Sequence, residues 1–139
     1  MKRLFLEDLK AMTEGEVIEH VAQNYAGKAS GFDYGNPSVD DKQVVRTDML
    51  RFNVLIAYES VGSWGCDSSS YFLMKEKSTG ELFEFSGSHC SCYGFEGQYS
   101  PEPVSIEYLK SDKFYLPCGG YDNDAGGNKS AVKEYLAKL

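Results

Sequence analysis

The run Arg51-Phe52-Asn53-Val54-Leu55-Ile56-Ala57-Tyr58-Glu59 constrains this chain more than any other segment. Phe52, Val54, Ile56 and Tyr58 recur at every second position, with Arg51 and Asn53 on the opposite side. Side chains alternate across a strand, so a period of two predicts a half-buried strand over 50–60. Met49, Phe52, Leu55 and Ile56 would also fit helical spacing, but the β-branched and aromatic content of the run favours strand. Residues 70–77 and 81–87 predict two further strands, the last with Phe83 and Phe85 inward. Lys77-Ser78-Thr79-Gly80 between them suits a hairpin turn, because glycine takes the left-handed position that a bulged turn needs. Three strands in sequential order predict an antiparallel sheet.

Helical signals flank that sheet. Residues 3–12 place Phe5, Leu9 and Met12 on one stripe and predict a short helix. Thr13 with Glu16 forms a capping box, followed by Val17, Ile18, Val21, Ala22 and Tyr25 at helical spacing. His20 lies beside that stripe and reads as structural. Residues 28–47 read as a polar connection, long for a passive loop. Pro101 and Pro103 suit the entry of a helix over 104–111. The segment Cys118–Asn128 reads as a Gly-rich loop. A last helix would bury Val132, Tyr135, Leu136 and Leu139. The expected fold is a single α+β domain over 1–139. It has a helical N-terminal segment (1–27), a sheet core (48–117) and a C-terminal helix (128–139). A three- to four-stranded antiparallel sheet would carry the N-terminal helix pair and the C-terminal helix on it.

Charge narrows the function classes. The net charge is −7, and residues 66–112 hold eight acids against three bases. Such a field repels nucleic acid and favours basic protein surfaces, and no basic stripe is visible. The N-terminal stretch has acids at Glu7 and Asp8 and no long apolar run, so neither a signal peptide nor a membrane span is expected. A reduced, cytosolic chain then makes free thiols or a metal site a better reading of four cysteines than disulfides.

Gly87-Ser88-His89-Cys90-Ser91-Cys92-Tyr93-Gly94-Phe95-Glu96-Gly97-Gln98 is the unusual block of the chain. It concentrates soft ligands, and a zinc site would draw on Cys66, His89, Cys90, Cys92 and Cys118. The C-x-C spacing is shorter than a zinc knuckle, so no metal and no cofactor is expected. Neighbouring residues on a strand diverge, which separates His89 from Cys90 as a nucleophile–base pair, and no catalytic group is assigned. Asp122-Asn123-Asp124 begins like a calcium loop, but Lys133 stands at its twelfth position. The glycines at 119, 120, 126 and 127 lack the surroundings of a phosphate loop.

The same block, with Pro101-Glu102 and the hairpin from Val54 through Tyr71-Phe72-Leu73 to Phe85, resembles a group of small proteins of tailed bacteriophages. The resemblance covers roughly 54–110 and brings no reaction with it. It implies a phage accessory protein in the host cytoplasm, acting in anti-defence or host takeover. Its expected partner is a nucleic-acid-handling host protein with a basic surface, with no membrane and no direct nucleic acid. Homo-oligomerisation is left open. The contact residues expected are Asp67, Glu81, Glu84, Glu96 and Glu102 with Tyr93, Phe95 and Tyr99, acids for steering and rings for anchoring. Three alternatives stand beside it. They are a nucleotide-signal binder using Arg46 or Arg51, an enzyme built round the Cys/His turn, and a structural zinc module.

Overall fold

The structure, a computed structural model, describes residues 2–27, 38–61, 68–89, 94–114, 116 and 128–139. The alternating run becomes β2 (Phe52–Ser60), which pairs antiparallel with β3 (Ser68–Glu76). β3 pairs antiparallel with β4 (Leu82–His89), so the three expected strands lie in the expected order. Gly80 takes a φ of 76°, the left-handed value foreseen for the connecting turn. Two strands extend this core: β1 (Leu4–Glu7) runs parallel to β2, and β5 (Glu102–Pro103) runs antiparallel to β4. Among the described residues the sheet is therefore mixed and five-stranded, in the order β1-β2-β3-β4-β5, rather than purely antiparallel with three or four strands.

β1 replaces the helix expected over 3–12, which removes the N-terminal helix pair. Leu4 and Leu6 contribute to one hydrophobic cluster and Phe5 to the other, a two-sided use that only a strand permits. A helix of ten residues has little stability of its own, whereas β1 gains a ladder along β2. Glu7, at a φ of 56°, ends the strand. The second helix forms as expected: α1 (Glu14–Tyr25) starts at Thr13 with both bonds of the capping box, 3.1 and 3.2 Å. Its buried face is Val17, Ile18, Val21, Ala22 and Tyr25.

A further helix, α2 (Val39–Met49), occupies part of the stretch read as a polar connection. It buries only Val45 and Met49, and Val39 and Val44 remain exposed. So thin a stripe carries little periodic signal. The local signal is Ser38 capping with Asp41, and Arg46 ties the helix to Glu19 of α1 at 2.7 and 2.8 Å.

β2 contains the largest departure from simple alternation. Its register against β3 shifts between Val54 and Ile56, leaving Leu55 as an extra residue. One inserted residue exchanges the two faces of everything beyond it. Phe52, Val54 and Ala57 consequently pack under α1 and α2 with Phe72, Met74 and Phe85. Ile56 and Tyr58 pack on the other side, with Leu73 and with Val132 and Leu136 of α4 (Asn128–Ala137). The four residues expected to share one face are divided between two cores.

The helix expected over 104–111 shortens to α3 (Ile106–Leu109), capped by the Ser105 hydroxyl. Pro101 and Pro103 flank or occupy the edge strand β5 instead of opening a helix. Proline is tolerated there because an edge strand can spare a donor.

Candidate functional site

The edge formed by β4 and β5 brings two carboxylates together. Glu84 and Glu102 are register partners across that pair. Cβ atoms of directly opposed residues lie about 4.5–5.5 Å apart, and like-charged side chains directly opposite each other are destabilising. Among the described residues no cation pairs with either of them. They line a groove of about 220 Å³ with Tyr71, Ser86, Tyr108 and Phe114.

Each wall of the groove is fixed by local chemistry. The Tyr71 hydroxyl donates to Glu84 Oε2 at 2.7 Å. Burial, followed by the charge of Glu84, pushes the Tyr71 phenol far above its ordinary value, so it stays a donor at neutral pH. Phe114 sets its edge against Tyr71 at 5.6 Å and against Tyr108 at 6.0 Å. Ser111 holds the turn that delivers Phe114: its hydroxyl donates to the Tyr108 carbonyl and accepts from the Lys113 amide. Tyr108 is 40% exposed at the rim. Two carboxylates and an exposed ring suit a guanidinium or ammonium, which can pair with acids while lying on an aromatic face.

The expected contact residues do not all belong to this groove. Glu84 and Glu102 do. Glu81 is exposed at the β3–β4 turn, where its carbonyl accepts from the Glu76 amide. Glu96 turns back on its own loop, accepting from the Gly94 amide at 2.8 Å. Tyr99 is tied into the fold: its hydroxyl donates to Asp48 and its ring meets Phe85 edge-on at 5.1 Å. Phe95 requires a correction, because it is a core ring with 5% exposure, stacked on Tyr25 at 4.7 Å. Its ring anchors the core rather than a partner. Asp67 and Tyr93 lie outside the described residues, as do Cys66, Cys90, Cys92, Cys118 and the loop at 118–127.

The described part of the Cys/His block is built for packing. Gln98 clasps the end of β4, accepting from the Ser88 amide at 2.8 Å and donating to the Ser88 carbonyl at 2.9 Å. Gly97 donates to the Ala26 carbonyl behind α1. A Cβ on Gly87 would stand 2.8 Å from Phe95 and 2.9 Å from Ser70 Oγ, so only glycine fits there. His89 presents its ring edge-on to Phe95 at 4.4 Å. Of the ligand set weighed for zinc, His89 alone is described, and no cluster of three His, Cys, Asp or Glu able to hold a metal occurs among the described residues.

Sequence reasoning missed a buried carboxylate. Glu59 is 4% exposed and its Oε2 accepts the Tyr25 hydroxyl at 2.5 Å. His20 Nε2 lies 2.8 Å from the same oxygen, and Asn24 reaches His20 Nδ1 at 3.2 Å. His20 thus links α1 to a carboxylate buried in β2, while Glu59 carried no signal beyond its position in a strand. Arg46 is committed to Glu19, and Arg51 to Asp48 and Glu76. Neither is a spare donor for a nucleotide.

Among the described residues no helix is long and apolar enough to cross a membrane. No family model, curated protein or solved structure matches this chain.

Proposed function

We propose that this protein acts by contact, seating an arginine or lysine of a basic partner surface in the Glu84–Glu102 groove. The single observation that carries this reading is the carboxylate pair itself. Two like charges held opposite each other without a described cation are an electrostatic cost that an incoming cation would relieve. The rings of Tyr108 and Phe114 add a face on which a cation gains about 0.5–2 kcal/mol. The net charge of −7 would steer a basic surface toward it.

With the resemblance of the Gly87–Gln98 block to small phage proteins, the partner is a host nucleic-acid-handling protein. The action is to inhibit or redirect that protein, as anti-defence or host takeover in the host cytoplasm. The competing readings, a nucleotide-signal binder, an enzyme or a zinc module round the Cys/His turn, find less support. Phe95, Gly97 and Gln98 of that turn are spent on packing and backbone bonds, and Arg46 and Arg51 are ion-paired.

Capture from bacterial lysate tests the reading, with wild-type protein and a Glu84→Gln/Glu102→Lys variant as parallel baits. Quantitative mass spectrometry should find a basic nucleic-acid-handling protein retained by the wild type and lost from the variant. Equal retention by both baits would contradict it.

A further inference from the structure

We propose that this chain forms a two-fold dimer in which β1 pairs antiparallel with β1 of a second copy, joining the two sheets edge to edge. β1 ends the strand order, so among the described residues its outer edge carries no further strand. The Asp8 amide donates at 3.0 Å to the carbonyl of Glu59, which is the register partner of Glu7. In a parallel ladder the two neighbours of a paired residue make the bonds, so Leu6 and Asp8 serve β2. Backbone groups alternate sides along a strand, and those of Phe5 therefore point away from β2. No turn, loop or cap bond occupies them among the described residues. An open row of donors and acceptors is a template for another strand.

The sequence of the edge selects a second copy as its occupant. Lys2-Arg3-Leu4-Phe5-Leu6-Glu7-Asp8 is self-complementary about Phe5. Paired antiparallel with its own copy about that residue, it sets Phe5 opposite Phe5 and Leu4 opposite Leu6. Arg3 then meets Glu7 and Lys2 meets Asp8, each pair occurring twice by symmetry. Cross-strand pairs of aromatic or oppositely charged residues contribute about 0.2–1 kcal/mol each. Parallel pairing would instead oppose like charges at Lys2, Arg3, Glu7 and Asp8. A slip by two residues would set Phe5 against Arg3 or Glu7. Edge charges ordinarily keep copies apart; here their order favours one register and opposes the others.

Burial points the same way. Leu4, Phe5 and Leu6 are each only half-buried, Phe5 against the core under α1 and the two leucines against the core that includes α4. A second copy adds cover on both faces, with its Leu6 beside Leu4. Lys2 has no ion pair among the described residues. Arg3 is bonded to Glu14 through Nε, and Glu7 to Asn128 through Oε1. The terminal guanidinium nitrogens and the second carboxylate oxygen remain for the pair between copies. The same patch serves both copies, as a closed two-fold interface requires. The two β4–β5 edges then lie at the far ends of the joined sheets, so the dimer carries one Glu84–Glu102 groove at each end.

Sedimentation equilibrium of the full chain tests the proposal and should give a two-chain mass in reversible exchange with the monomer. Carbodiimide, which joins an amine to a carboxylate in contact with it, should link Lys2 to Asp8 in the wild type. Within one chain these residues stand about 20 Å apart, at about 3.3 Å per residue of strand, so such a link lies between copies. Lys2→Glu and Asp8→Lys should each weaken the dimer about tenfold with unchanged circular dichroism. An equal mixture of the two variants should recover wild-type affinity, because each new charge then meets its opposite. Glu84→Gln/Glu102→Lys should dimerise as the wild type does, which separates this proposal from binding of a basic partner. A monomer at every concentration, a dimer without the Lys2–Asp8 link, or a mixture no tighter than its components would each overturn the proposal.

Discussion

The Tyr25 hydroxyl donates to Glu59 Oε2 at 2.5 Å, inside a core where the carboxylate has 4% exposure. His20 contacts the same oxygen from the helix side, at 2.8 Å. A carboxylate oxygen accepts the phenol's proton in the first of these contacts, so the Tyr25 hydroxyl is spent on Glu59. This contact joins α1 to β2 at the point where the block around Phe95 closes over the sheet.

Tyr25→Phe removes that hydroxyl while leaving the ring free to stack on Phe95 at 4.7 Å. Glu59 then depends on His20 for its described side-chain contact. Loss of one partner from a buried charged group costs about 1–3 kcal/mol. Urea denaturation of the wild type and the variant should show that loss as a lower midpoint at unchanged slope. A change below about 0.5 kcal/mol, the range of ordinary surface substitutions, would contradict the assignment.

Glycine substitutions should separate close approach from mere flexibility. Gly87→Ala forces a Cβ to within 2.8 Å of Phe95 and should cost about 1–3 kcal/mol. Gly15→Ala meets nothing nearer than Thr13 Oγ1 at 4.0 Å, in a helical position. It should stabilise by about 0.4–1 kcal/mol. Thermal denaturation of the two variants should move the melting temperature in opposite directions.

Burial raises the phenols of Tyr25, Tyr71 and Tyr99 well above the ordinary value, with Glu59, Glu84 and Asp48 adding to it respectively. An unfolded tyrosine loses its proton near pH 10, so above that pH the folded state holds more protons than the unfolded one. Stability from these groups is therefore complete below about pH 10 and falls as pH rises further. Absorbance titration should show at least three of the ten tyrosines ionising only together with unfolding. Ionisation of all ten near pH 10 with the fold intact would contradict this.

How much of this was legible in the sequence differs from element to element. β2, β3 and β4 could be read because each alternates or clusters apolar residues between clear turn residues, and α1 because Thr13 and Glu16 announce its start. β1 is hidden because Phe5, Leu9 and Met12 sit at helical spacing, whereas Leu4-Phe5-Leu6 serves two cores. The extra residue at Leu55 leaves no mark in composition, yet it decides which core receives Ile56 and Tyr58. Glu84 and Glu102 could be named as acids, but their meeting depends on a two-residue strand, too short to announce itself. Phe95 reads as well as a surface anchor as a core ring, because burial is a tertiary property that the sequence does not print.

The central claim is that the Glu84–Glu102 pair receives a cation from a basic partner. Association kinetics with the captured partner, at low and at physiological salt, test it most directly. Glu84→Gln keeps an acceptor for Tyr71, and Glu102→Lys reverses the exposed charge, so circular dichroism should be unchanged. The account predicts that wild-type association slows as salt rises. The double variant should associate about tenfold more slowly at low salt, with little further salt dependence. A double variant that matches the wild type in rate and in salt dependence would contradict it.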